Sequence, residues 1–316
     1  MEPKGAQRRS AQKGGADLIV PELMARVRQL HLRTHRLVNT ALSGGYRSVF
    51  RGQGIEFEEV RPYLPGDDVR SIDWNVTART GAPHVKAYRE ERELCIHCLV
   101  DTGMGMGFGT RRFTKREAAA QLVGLFSFVA IRNQDRIGMT LFGREAGFHL
   151  KPAKSSNHIL RMIREVVAAP IDTEPGNLMD VLAATNQVLK RRALIFVFSD
   201  FDDADTAPWS EPLRRLAAKH DVVGVRIEDP FEAELPQAGV FSATDARGAG
   251  WRTIDSDSKS VRDAWRRAAI ERRAAFRRAF TRAQAETIEI DTGEDLMGPI
   301  GRFFRLRAMR GGRQSS

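Results

Sequence analysis

Two cysteines among 316 residues are too few for a disulfide framework, so a hydrophobic core has to hold the fold, as suits a reducing compartment. Long apolar runs are missing too. The longest uncharged apolar stretch, roughly Ala118 to Ile131, is shorter than the ~18 residues needed to cross a bilayer, and nothing before it reads as a secretory h-region. The cytoplasm is the expected location. What is present is 42% hydrophobic residues, enough for a sizeable core in one large domain or two small ones, which excludes wholesale disorder.

The formal net charge of +10 is unevenly placed. Residues 1–50 hold nine basic and three acidic groups, residues 51–250 hold 26 and 28, and residues 251–316 hold 15 and nine. A basic chain ordinarily points to nucleic acid or an anionic membrane. Here the surplus sits on terminal segments around a slightly acidic middle, so a phosphate-tracking surface is not expected and nucleic acid is not the expected partner.

Residues 1–19 and 310–316 are poor in large apolar residues and read as disordered tails. Between Pro21 and Leu42 the apolar spacing predicts an amphipathic helix. Residues 46–92 alternate apolar and acidic residues between Gly and Pro breaks, the pattern of a small β subdomain, so residues 20–92 form one N-terminal unit. From residue 93 to about 309 the texture is that of an α/β domain. Nearly unbroken apolar segments at Leu94–Val100, Arg136–Phe142, Ala193–Phe198 and Val222–Ile227 read as strands covered on both faces. Helical patterns at 114–129, 156–168, 178–190, 209–219 and 260–282 separate them, with an edge strand at Gly147–Lys151 and a hairpin insertion at about 229–256. The last strand and helix are placed at Thr287–Ile290 and Leu296–Leu306. Strands and helices alternating at this spacing predict a doubly wound, mostly parallel sheet.

In such a sheet ligands lie beyond the carboxyl ends of strands where the winding reverses. Two predicted strands end there in an acid, Asp101 and Asp200. The loop Thr102-Gly103-Met104-Gly105-Met106-Gly107-Phe108-Gly109 after the first lacks the third glycine of a dinucleotide fingerprint, and Gly109 leads to Thr114-Lys115-Arg116 rather than to a phosphate-loop Gly-Lys-Ser/Thr. Cys95-Ile96-His97-Cys98 imitates a zinc or redox pair. In a strand, residues three apart point to opposite faces, so these two thiols cannot share a metal or close a bridge.

Arg51-Gly52-Gln53-Gly54-Ile55-Glu56-Phe57, Arg61-Pro62-Tyr63, Pro65-Gly66-Asp67-Asp68-Val69-Arg70, Ile72-Asp73-Trp74-Asn75, Ala78-Arg79, Val85-Lys86 and Glu90-Glu91 together resemble the signature of the bacterial family catalogued as domain of unknown function 58. The likeness continues through Asp101 and Ser199-Asp200-Phe201 and covers about residues 40–307. It implies a von Willebrand factor A-like core, association with a MoxR-type AAA+ ATPase in protein maturation or complex assembly, and no enzymatic activity. Rival readings are a metal-dependent hydrolase or nuclease and a basic nucleic-acid-binding module.

A domains of that kind bind Mg²⁺ through Asp-x-Ser-x-Ser, a Thr from a second loop and an Asp from a third. In this chain the first motif reads Asp101-x-Gly103-x-Gly105 and the second loop reads Gly176-Asn177-Leu178, so only Asp101 and Asp200 match. The resemblance therefore implies a degenerate site with at most weak Mg²⁺ binding and no other cofactor. It also implies a partner-binding rim at Asp101, Gly103, Gly105, Asn177 and Asp200 that bears uncompensated negative charge and suits a basic partner surface. Asp67, Asp68, Asp73 and Lys86 have the composition of a nuclease cluster but read better as turn formers. With Arg61, Arg70 and Arg79 they are expected to form ion pairs tying the β subdomain to the sheet. The long helix with Arg266, Arg273 and Arg277 offers a basic face to an acidic partner or to solvent.

Overall fold

The computed structural model describes residues 56–89, 93–111, 113–144, 146–170, 172, 174–203, 207–244 and 250–313. The helix expected over Pro21–Leu42, the tail 1–19, and the signature residues Arg51, Gly54, Glu90 and Glu91 lie outside them. β1 (Glu56–Pro62) and β2 (His84–Arg89) pair antiparallel, with a 3-10 turn at Val69–Ser71 and helix α1 (Trp74–Thr80) between them. Acids make this connection. Asp67 accepts two bonds of 2.7 Å from the Arg61 guanidinium and one of 2.9 Å from the Leu64 N–H. Those bonds hold its carboxyl down at about 2. Asp68 takes the Arg70 N–H at 2.9 Å, and Asp73 caps α1 through the N–H groups of Asn75 and Val76. The Arg61–Asp67 fork is thus internal to the small unit, rather than a tie to the large sheet. Trp74 is exposed at the start of α1, Arg79 lies in its last turn, and Glu56 and Lys86 stand opposite Arg89 and Val60 in the ribbon.

The main sheet begins with β3 (Cys95–Asp101), followed by α2 (Lys115–Arg132), β4 (Arg136–Phe142), β5 (Ala146–Ala153) and α3 (Ser156–Ala168). Helix α4 (Leu178–Val188), β6 (Leu194–Ser199), α5 (Ser210–Ala217), β7 (Asp221–Glu228) and α6 (Pro230–Ala233) come next. A hairpin of β8 (Val240–Thr244) and β9 (Trp251–Asp255), then α7 (Lys259–Arg282), β10 (Glu286–Asp291) and α8 (Met297–Arg313), complete the chain. Helix α8 continues past Leu306 to Arg313, through part of the tail expected to be disordered.

The six strands run in the order β10-β7-β6-β3-β4-β5, all parallel except β5. This is the doubly wound mostly parallel sheet that the strand pattern predicts. Winding goes outward in both directions from the β3/β6 pair, so the switch point falls between the carboxyl ends of those two strands.

Alternation along the strands divides the core. Ile96, Cys98 and Val100 of β3 and Phe196 and Phe198 of β6 face α2, α3 and α8. Leu99, Ile195 and Val197 face α4, α5 and α7. On the first face Phe126 stacks on Phe196 with ring centroids 4.1 Å apart, worth ~0.5–1.5 kcal/mol beyond the area it buries. On the second, Phe276 and Phe280 of α7 pack around Phe201, and a Cβ on Gly224 of β7 would lie 2.4 Å from the Phe280 ring. Only glycine admits that approach. Cys98 lies in the first core and Cys95 packs against the second, so alternation separates the two thiols across the sheet. His97 is a buried histidine whose Nε2 meets the Thr140 hydroxyl at 2.8 Å, and burial pushes it down to about 3.

Helix α7 does not present a free basic face. Arg266 reaches Glu234 at 3.1 Å and Arg273 reaches Glu228 at 2.5 Å, while Arg277 forks onto Glu289. These three arginines are drawn onto acids of other segments, although Arg266 and Arg277 remain 60% and 61% exposed, while Arg278 pairs with Glu271 within the helix.

Candidate functional site: an acid-lined rim closed by a buried lysine

At the carboxyl end of β3 the chain turns through a 3-10 segment at Met104–Gly107 before entering α2. The turn forms on Asp101. Its Oδ1 accepts the Gly103 N–H at 2.7 Å, and its Oδ2 accepts the Ser199 hydroxyl from the end of β6 at 2.6 Å. The second loop lies directly on the same carboxylate, since a Cβ on Gly176 would be 2.2 Å from Asp101 Oδ1 and one on Gly103 would be 2.4 Å from the Gly176 nitrogen. The glycines at these positions therefore let three loops close over one acid.

Asn177 has another use. Its Oδ1 accepts the Asp180 N–H at 3.1 Å, capping α4, and its side-chain amide donates to Asp180 Oδ2 at 2.7 Å. Both side-chain groups are thereby engaged with the first turn of that helix.

Asp200, the first residue beyond β6, is held from the opposite side. Lys115, the first residue of α2, is 1% exposed, and its ammonium donates to Asp200 Oδ2 at 2.9 Å and to Glu232 Oε1 at 2.6 Å. Glu232 is positioned by the α6 capping box, in which Asp229 accepts the Phe231 N–H and the Glu232 carboxylate accepts the Asp229 N–H. Asp229 also accepts both the N–H and the hydroxyl of Thr110 and the hydroxyl of Thr292. One end of the domain is thus fastened through acids, each meeting a donor from another loop.

The electrostatics follow from burial and pairing. Burial pulls Lys115 down, but the charges of Asp200 and Glu232 more than reverse this and hold its ammonium above the ordinary lysine range. Asp200 is pushed up by burial and pulled further down by Lys115 and then by Arg226, so its carboxyl ends below the usual value. Glu232 ends above it, because burial outweighs Lys115 and Asp200 adds repulsion. Burial, and after it the charge of Asp200, raise Asp101 to about 7. Arg226 of β7 is 4% exposed and donates to Glu228 at 3.3 Å. The rim consequently carries compensated charge, and the expectation of an uncompensated negative rim is corrected by Lys115 and Arg226.

The structure brings Asp101, Gly103, Gly105 and Asp200 into one rim and turns Asn177 to helix capping. The resemblance to A domains implies a divalent cation between the acids, but these side chains do not fit one. Such a cation needs several oxygens free to turn toward it. Asp101 has both oxygens engaged by Gly103 and Ser199, Asp200 Oδ2 is engaged by an ammonium, and a Cβ at residue 105 would be 2.0 Å from that same oxygen. Among the described residues no group of three or more His, Cys, Asp or Glu side chains could hold a metal ion.

Reasoning from the sequence misses Lys115 and Glu232. Lysine in the first turn of a helix opposes the dipole, and its place at the end of a glycine-rich loop following an acid-ended strand is the available signal. Glu232 carries a weaker one, the Asp-Pro-x-Glu pattern of a capping box.

A doubly wound α/β domain with an acid-bearing rim at its switch point is the class that fold and site define. Residues 59–275 match the family described as Protein of unknown function DUF58, and the chain belongs to it. Uncharacterized proteins of Mycobacterium tuberculosis and Mycobacterium bovis are each 32% identical over 295 residues, 92% of this chain and 92% of theirs. Among solved structures, a conserved hypothetical protein BatB from Bacteroides thetaiotaomicron is similar with a TM-score of 0.44 and 12% identity, over 68% of this chain and 99% of that one. The SpRpn10 VWA domain is similar with a TM-score of 0.36 and 12% identity, over 65% and 92% of the respective chains. No helix among the described residues is long and apolar enough to cross a membrane.

Proposed function

We propose that this protein is a non-enzymatic interaction module, an adaptor that works in the cytoplasm with a MoxR-type AAA+ ATPase in protein maturation or complex assembly. The contact is the rim formed by Asp101, Gly103, Gly105, Asn177 and Asp200, and it works without a divalent metal. The observation that carries this reading is the engagement of the rim acids by the protein itself. Asp101 is bound by Ser199 and Gly103, and Asp200 by Lys115. Groups tied in this way hold the rim rigid and leave its partly exposed members, Gly105, Asn177 and Asp200, to meet a partner, whereas an acid–base catalyst needs an oxygen within reach of a substrate proton.

The test is capture of the cognate ATPase by the full chain. Binding should survive EDTA and weaken with Glu174→Lys, which reverses charge at an exposed position of the second loop, whose backbone carbonyl accepts the Met104 N–H at 3.0 Å. Binding that disappears on chelation and returns with Mg²⁺ would refute the metal-free rim. A folded Glu174→Lys protein that binds as tightly as the wild type would remove the second-loop side of the rim, where Glu174 pairs with Arg144, as the contact.

A further inference from the structure

We infer that Lys115 is the resident cation of this rim: its ammonium occupies a divalent-ion position between Asp200 and Glu232, and removing that one side chain uncovers a divalent-cation site. The adaptor reading is not needed for this inference, which rests on the geometry of three side chains.

Asp200 Oδ2 and Glu232 Oε1 are both within hydrogen-bond reach of a single point, the Nζ atom, at 2.9 and 2.6 Å. Two carboxylate oxygens converging on a shared buried point are what a hard cation uses, with waters filling the remaining positions. Asp101 lies behind them, close enough for its carboxyl to feel both Asp200 and Lys115. The side chains of Asp200 and Glu232 are 17% and 28% exposed, so solvent reaches the pair without separating it. Loop geometry suits an ammonium and not the hydroxyl-ligated ion of the related folds. Gly105 brings the loop backbone against Asp200, leaving no space for a side chain there, and its Cβ position is 3.7 Å from Nζ.

Supplying the positive charge from the chain itself has two physical consequences. The charge cannot dissociate, so the three elements that Lys115 joins, the start of α2, the end of β6 and α6, remain fastened at any metal concentration. The ammonium is also buried, with the Lys115 side chain 1% exposed, and already donates to two carboxylates. A partner's carboxylate therefore cannot reach it, and a partner has to recognise the outer surface of the rim.

Mn²⁺ binding, read by the loss of the free-ion paramagnetic resonance signal, tests the inference in the full chain. Wild-type protein should take up no Mn²⁺ at the rim, and Lys115→Ala should bind it with an affinity roughly tenfold or more above any residual uptake by wild type, since two carboxylates without an internal cation attract a divalent ion. The gained binding should disappear in Lys115→Ala/Asp200→Asn. Mn²⁺ should also raise the melting temperature of Lys115→Ala while leaving the wild type unchanged. Wild-type binding that Asp200→Asn abolishes would overturn the inference, and so would a folded Lys115→Ala that takes up no Mn²⁺. If Lys115→Ala does not stay folded in EDTA, its refolding yield is measured with Mn²⁺ and separately with methylammonium, which returns an ammonium to the vacated space. Rescue by both supports the inference, whereas rescue by methylammonium alone or by neither overturns it.

Discussion

Gly105 and Asp200 approach so closely that a Cβ on residue 105 would lie 2.0 Å from Asp200 Oδ2 and 3.2 Å from its carboxyl carbon. A carboxylate can usually swing away from such a contact, but this one is fixed by Lys115 at 2.9 Å. Gly105→Ser, which places a hydroxyl at this position, should therefore damage the rim. The expected loss is about 1–3 kcal/mol, the usual cost of forcing extra atoms into a packed site, read as a lower midpoint in urea. A Gly105→Ser protein as stable as wild type would show that Asp200 is free to move.

Asp101 gives a pH-dependent prediction. Its carboxyl is raised above the unfolded value, to about 7, so the folded state binds more protons than the unfolded state across the interval between. Its contribution is fully present below the unfolded value of ~4 and lost as pH rises through about 7. Asp101→Asn removes the titration while leaving an oxygen for the Gly103 N–H. The stability of Asp101→Asn relative to wild type should increase from pH 5 to pH 8, by an amount on the order of 1–3 kcal/mol, because each tenfold change in proton affinity corresponds to about 1.4 kcal/mol. Parallel stability curves for the two proteins would contradict the assignment.

Native thiol chemistry should be slow and should not cross-link the pair. Burial raises both Cys95 and Cys98 and so starves each of thiolate, with Cys98 fully enclosed. Disulfide reagents should leave Cys98 unmodified until the protein is denatured, when both thiols react. Mass spectrometry of oxidised native protein should find no Cys95–Cys98 bridge, since the side chains point to opposite faces of β3.

The parts legible in the sequence are those set by local periodicity. Apolar runs ending in Asp101 and at Ser199-Asp200 mark β3 and β6, alternation separates Cys95 from Cys98, and Thr114-x-x-Glu117 fixes the start of α2, where the capping box is present. Pairing across distant segments is not legible. Lys115 and Glu232 are 117 residues apart, and no local pattern states that an ammonium from one loop will meet a carboxylate from another. For the same reason Arg266, Arg273 and Arg277 read as an open basic face, although three acids of other elements meet them. Phe201 enters the sequence pattern only as part of Ser199-Asp200-Phe201. Its φ of 49°, uncommon for a bulky residue, accompanies a ring buried against Trp209, Phe276 and Phe280.

The two carboxylates that share Lys115 should not be equivalent. Asp200 is held below its ordinary value, with burial opposed by Lys115 and Arg226, whereas Glu232 is held above its own by burial and by Asp200. The folded protein thus favours the charge on Asp200 and disfavours the charge on Glu232. By linkage, Asp200 contributes stability above its unfolded value that is lost as pH falls through its lower folded value, and Glu232 contributes in the opposite sense. Asp200→Asn leaves Lys115 with Glu232 as its one carboxylate partner and takes away a charge that Arg226 also faces, and breaking a buried pair from one side costs about 3–5 kcal/mol. Glu232→Gln keeps an oxygen for Nζ and relieves the repulsion with Asp200, but its amide nitrogen then faces the Asp229 N–H in place of the capping oxygen, so its cost should be about 1–2 kcal/mol, the scale of one buried hydrogen bond lost. Urea denaturation of the two variants at pH 7 measures the difference. A larger loss for Glu232→Gln would mean that Glu232 and not Asp200 is the principal counter-ion of the buried lysine, and equal losses would mean that the two acids share it evenly.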